Sequence, residues 1–163
     1  MNAKEAFKSA VNFSSMVVKT YVSDLSDQDL LVRPAEGCNH LAWQLGHLIS
    51  SEVGLLAAVT GRKLVELPAG FDEAHAKDKA NVDDPAAFLS KAAYVEWFDK
   101  VRAASLAALE AFSDADFDRP APERLQRICP TMGDAFTLIA THPMMHAGQF
   151  VIVRRKLGKP VLI

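Results

Sequence analysis

Apolar side chains recur every three or four positions along four long stretches of the chain, and this spacing predicts four amphipathic helices. The first runs from about Ala3 to Leu25 and carries Phe7, Val11, Ser14, Val18, Tyr21 and Leu25 on one face. Asn2, with Glu5 three positions on, is its N-cap signal. The second runs from Asn39 to Thr60 and stops at Gly61, on a stripe of Leu41, Leu45, Leu48, Leu55, Leu56 and Val59. The third opens at Asp84-Pro85, a cap followed by proline at the first helical position, and continues through Phe88, Leu89, Ala92, Val95, Phe98, Val101, Ser105 and Leu109. The fourth opens at Thr131, with Asp134 three residues later, and runs to Leu157 before Gly158 and Pro160.

Almost nothing reads as strand. Leu64-Val65-Glu66-Leu67 is the one short run off the helical period, and it is too brief to build a sheet. Helices joined by polar connections, with no βαβ rhythm, predict an all-α four-helix bundle, and 163 residues suit one domain spanning 1–163. Two connections are long, Gly61 to Asp83 and Ser113 to Pro130, and loops of that length in a compact domain are usually functional or disordered. The chain also echoes itself. Leu25-Ser26-Asp27-Gln28-Asp29-Leu30 matches Phe112-Ser113-Asp114-Ala115-Asp116-Phe117, and each is followed by Arg-Pro-Ala, a cysteine and a long helix. Two related helical hairpins and a coincidence of short motifs both account for this.

Charge narrows the partners. A formal net charge of −2 leaves no clustered basic face for nucleic acid, and Arg154-Arg155-Lys156 falls in the last turn of a helix, where cations complement the dipole. No apolar run approaches the ~20 residues that a membrane span needs. The N-terminal MNAKEAFKSA lacks the apolar segment of a secretory signal, so Cys38 and Cys129 are expected as reduced thiols in a cytoplasmic protein, each in ordinary packing.

The candidate chemistry lies in the histidines. His142 and His146 are four apart on the fourth helix, a register that stacks two imidazoles close enough to converge on one metal. His146 falls in the apolar stripe of that helix and His142 on its flank. His47, midway along the second helix, is the natural third ligand. It lies roughly 120° from the Leu41–Leu45–Leu48 centre, beside His40, Trp43, Gln44 and Ser51. The second helix must therefore present two sides to protein, or His47 must face a cleft. His40 is about 10 Å further along the axis, too far for the same ligand shell, and is expected to line the cleft or serve the first turn. His75 sits among Asp72, Glu73, Lys77 and Asp78 and is expected to be solvated. Pro143, inside the His pair, removes the helical hydrogen bond to Ile139. That kink either frees a carbonyl or aims the imidazoles, or is simply tolerated. Gly148 suits close helix packing, and Gln149 suits either a ligand contact or a buried amide. The residues alone admit a metal site or three satisfied histidines.

Ala42-Trp43-Gln44-Leu45-Gly46-His47-Leu48, then His142-x-x-x-His146-x-Gly148-Gln149, then Arg154-Arg155-Lys156-Leu157-Gly158, resemble the DinB/YfiT-like superfamily, as does Pro34-Ala35-Glu36-Gly37. The resemblance covers nearly the whole chain. It implies a four-helix bundle with a long crossover connection, often a homodimer. It also implies a divalent metal held by three histidines that match His47, His142 and His146, with open positions for water. The family includes transferases that join low-molecular-weight thiols to electrophiles, a thiol-dependent isomerase, and members regarded as metal-dependent hydrolases. Pro143 departs from common members.

Three histidines leave an open coordination position, the pattern of catalytic zinc, and such a metal lowers the pKa of a bound thiol or water. The expected function is metal-activated thiol transfer to a small electrophile, or metal-dependent hydrolysis. The rival is a non-enzymatic stress-response protein that binds a metal or small ligand. Imidazoles suit zinc, nickel, iron or copper, with zinc and nickel foremost. The expected partner is a small-molecule substrate, a low-molecular-weight thiol among the candidates. No dedicated general base stands out, Glu52 and Glu36 being the weak candidates, and thiol transfer needs less acid–base help.

Overall fold

The computed structural model describes residues 1–163 and is built on four long helices. Helix α1 spans Ala3–Val22, α2 Leu41–Thr60, α4 Lys91–Glu110 and α5 Met132–Lys156, with a short α3 at Phe71–Ala74. There is no strand beyond an isolated bridge between Pro120 and Thr131. Helix α1 packs against α4 and α5, and α2 packs against the same two helices. The two members of each consecutive pair, α1 with α2 and α4 with α5, thus lie diagonally opposite in the bundle, and the connections within the pairs cross it.

Local chemistry sets the helix ends. The Asn2–Glu5 and Thr131–Asp134 capping boxes start α1 and α5 where the sequence places them. Gly61, with φ of 71°, ends α2. Helix α4 starts later than its sequence signal. Asp84 does cap, accepting from the Ala86 amide, but it caps only a single 3-10 turn at Pro85–Ala87. Phe88 is then extended, and Ser90 is the N-cap of α4. The reason is packing: Phe88 leaves the helix to set its ring edge-on to His40, 4.6 Å between centroids. The echoed segments fold alike. Ser26 pairs with Asp29 just before the 3-10 turn Asp29–Leu31, and Ser113 pairs with Asp116 as the cap of the 3-10 turn Asp114–Asp118.

Helix α2 has Glu52 as its only charged residue, and none of its residues is fully exposed. An apolar helix without a polar face must be covered on more than one side. The bundle covers one side through Leu41, Leu45, Leu48, Ile49 and Leu56. The long connection 61–90 straps the other. Ala76 offers its carbonyl to Trp43 Nε1 at 3.1 Å, Val82 takes His40 Nε2 at 3.0 Å, and Ser50 bonds Asp72. His75 is not solvated. It is 3% exposed, because its ring lies directly on Gly46. Its Nδ1 donates to the Phe71 carbonyl at 2.8 Å, and its Nε2 accepts the Tyr94 hydroxyl at 2.7 Å.

One buried charge joins all four long helices. Arg102 on α4 donates through Nε to Ser15 Oγ (2.9 Å), through Nη1 to Glu52 Oε2 and the Ile139 carbonyl (both 2.9 Å), and through Nη2 to the Val11 carbonyl (2.9 Å) and Ser14 Oγ (2.7 Å). Ser105 donates to the other oxygen of Glu52. At the far end Arg154 is fully buried. It ties α5 to Asp24 and to the Tyr21 carbonyl, a role beyond that of a dipole-matched surface cation.

A Cβ at Gly46 would stand 2.0 Å from His75 Cδ2. Gly46→Ala is therefore expected to dislodge the His75 ring and destabilise the fold by about 1–3 kcal/mol, read as a lower urea midpoint. An unchanged midpoint would show that the strap does not depend on this contact.

Candidate metal centre

The three histidines singled out by spacing meet in space. His47 comes from α2, and His142 and His146 from successive turns of α5. One ring nitrogen from each lies within 4.8 Å of the other two. His146 is buried, while His47 and His142 are half-buried. The cluster thus sits at the bundle's edge with one side toward solvent.

Each ring is oriented by a neighbour. His47 stacks on Trp43, 4.9 Å between centroids and 7° from parallel, and Trp43 is itself pinned to Ala76 of the strap. Gln44 points its Oε1 at His146 Nδ1, 2.9 Å away, while its Nε2 donates to the Asn39 carbonyl. That second bond fixes which end of the amide faces the imidazole. His146 Nδ1 must donate, and Nε2 is the lone pair left for an ion. Ser51 Oγ lies 3.4 Å from His47 Nε2.

Burial is the main cause that pushes all three imidazoles below the ordinary histidine value, His47 and His146 to about 4. His142 adds to the shift at both, and Lys77 adds at His47. The three rings are neutral at pH 7, the protonation state that metal ligation needs. No carboxylate contributes at any of them. Three neutral, oriented nitrogens with one open side fit a divalent transition ion in a site that keeps a free position.

Other candidates fall elsewhere. His40 is the N-cap of α2, its Nδ1 accepting from the Trp43 amide at 3.1 Å. Gln149 is exposed, and a Cβ at Gly148 would meet nothing within 4 Å, so neither marks a contact. Glu52 is committed to Arg102 and Ser105, where burial pushes its carboxyl up against their pull. Glu36 is exposed. Cys129 is buried, and burial pushes its thiol up, while Cys38 is exposed. The sequence placed Gln44 on the His47 side of α2 but carried no sign that its amide reaches His146 on α5.

The family model described as the DinB superfamily matches residues 13–150. No curated protein matches the chain. Among solved structures, a conserved protein from Enterococcus faecalis is similar at a TM-score of 0.74 and 14% identity, covering 98% of this chain and 99% of its own. A DinB-like protein from Bacillus cereus is similar at a TM-score of 0.63 and 18% identity, covering 98% and 97%. At these identities the likeness speaks for the fold.

All five histidines are held below 6.5, His40 and His75 included. The unfolded chain takes up protons near pH 6.5, whereas the folded His47 and His146 resist until about 4. Stability is therefore full above pH 7 and lost as pH falls through that window. Glu52 opposes this and is outnumbered. The unfolding free energy of metal-free protein is expected to drop by on the order of 2 kcal/mol or more from pH 7 to pH 5, after discounting the half-exposed rings. Equal urea midpoints at the two pH values would contradict the buried-neutral assignment.

Proposed function

The chain belongs to the DinB superfamily, and on that premise we propose that it is a metal-dependent enzyme that transfers a small thiol to an electrophile. The observation that carries this reading is the convergence of His47, His142 and His146 within 4.8 Å, with no carboxylate at hand. A divalent ion bound there supplies Lewis acidity, which lowers the pKa of a thiol toward neutrality. The residues around it do the rest. Three uncharged imidazoles leave the ion's charge undiminished, so an anionic nucleophile is favoured. Gln44 holds the His146 proton on Nδ1, away from the ion. Trp43 and the strap close one side of His47 and leave the other for reactants.

Hydrolysis at the same site would profit from a general base to take the water proton, and the two acidic candidates are not positioned for it. Glu52 is locked in an ion pair, and Glu36 is exposed. A thiol of pKa near 8 needs only modest acidification, and its proton can pass to solvent. The absence of a base also favours, as a second reading, a non-enzymatic binder of metal or small ligand. Zinc and nickel remain the ions proposed, a homodimer the proposed assembly, and the cytoplasm the proposed setting.

The test uses zinc-loaded protein, cysteine or 2-mercaptoethanol, and 1-chloro-2,4-dinitrobenzene. In that reaction a carbon–sulfur bond forms, chloride leaves with the carbon–chlorine pair, and the thiol proton goes to buffer. A zinc-dependent aryl thioether rate that disappears in His146→Ala is expected. Bound zinc with no acceleration for this and other small electrophiles would overturn the enzymatic reading in favour of the binder.

A further inference from the structure

Pro143 lies between the two α5 histidines and has no N–H to give to the Ile139 carbonyl. In a buried stretch of helix that carbonyl needs another donor. It has one: Arg102 Nη1 at 2.9 Å. The same Nη1 reaches Glu52 Oε2 at 2.9 Å, and Glu52 stands on α2 five residues beyond His47. One nitrogen on α4 therefore grips both helices that supply the candidate ligands. On α5 it does so at the one place where the backbone ladder is interrupted. Helices α2 and α5 carry the ligands on separate elements, so their relative placement sets the distance from His47 to the pair on α5. The orientation of His142 depends on how the turn before Pro143 is held. The grip is saturated, since five N–H donors meet five acceptors.

We propose that Arg102 is a positioning residue of the His47–His142–His146 centre, acting through the Ile139 carbonyl that Pro143 leaves open and through Glu52. Arg102 touches neither metal nor substrate. It fixes the separation of the two ligand-bearing helices, and Pro143 makes α5 depend on it. The inference rests on the metal reading above.

The test is a cycle on metal affinity, with zinc measured by chelator competition and cobalt(II) by its visible d–d bands. Arg102→Lys keeps a charge beside Glu52 but cannot serve all five acceptors. Pro143→Ala restores an N–H that can take the Ile139 carbonyl and removes no buried partner. Arg102→Lys is expected to weaken zinc binding roughly tenfold or more and to shift the cobalt bands, with helix content unchanged by circular dichroism. Adding Pro143→Ala is expected to recover part of both losses. If Arg102→Lys does not fold, Arg102→Met with Glu52→Leu takes its place, since a buried ion pair exchanged for apolar groups is commonly tolerated. Affinity and spectrum equal to the unaltered chain in the folded Arg102 variant, or strict additivity with Pro143→Ala, would overturn the proposal. Failure of the unaltered chain to bind zinc or cobalt would instead overturn the metal reading itself.

Discussion

A guanidinium inside a helical bundle is tolerated only when its donors are matched, because an unpaired buried charge costs several kcal/mol. Arg102 meets the condition by drawing acceptors from α1, α2 and α5 onto one side chain of α4. Apolar packing brings helices together but is non-directional, and it leaves their sliding and rotation loosely set. A saturated, directional hub removes that freedom. Helix α5 needs it most, since Pro143 has taken one rung from its own ladder. The histidine cluster sits one turn from this hub along α5, so polar bonds inside the core hold the helices that carry it.

The second constraint is α2. With Glu52 as its only charge, it has no fully exposed residue, and the bundle covers only part of it. The strap 61–90 finishes the burial and, in doing so, builds the wall of the site. His75 on Gly46, Trp43 on Ala76, His40 on Val82 and Ser50 on Asp72 fasten it. The connection that looks like a long loop in sequence thus has an exposed outer side and inserts Val65, Phe71 and His75 into the interior.

This explains what was legible in the sequence and what was not. Helical periodicity, the Asn2 and Thr131 caps and Gly61 predict three of the four long helices to within a few residues, because those signals act through neighbours in sequence. Asp84-Pro85 predicts the start of α4 too early: it does cap, but Phe88 then leaves the helix to pack on the core and on the rings of His40 and His75. The convergence of the three histidines was legible because two share a helix register and His47, midway along the second helix, is also the residue the family motif matches. The charged neighbours of His75 predict a solvated ring, yet the ring lies on a glycine 29 positions away in sequence. Gln44 and Arg102 act across helices, through contacts that no local pattern records. Pro143 announced a free carbonyl, and only the fold shows which side chain takes it.

A divalent ion held jointly by His47, His142 and His146 needs all three side chains. Elemental analysis of purified, untagged protein, reconstituted with zinc and then dialysed, tests it directly beside His47→Ala and His142→Ala. About one zinc per chain is expected in the unaltered protein and a small fraction of that in each folded variant. No retained zinc or nickel in the unaltered protein, or equal retention in the variants, would contradict it.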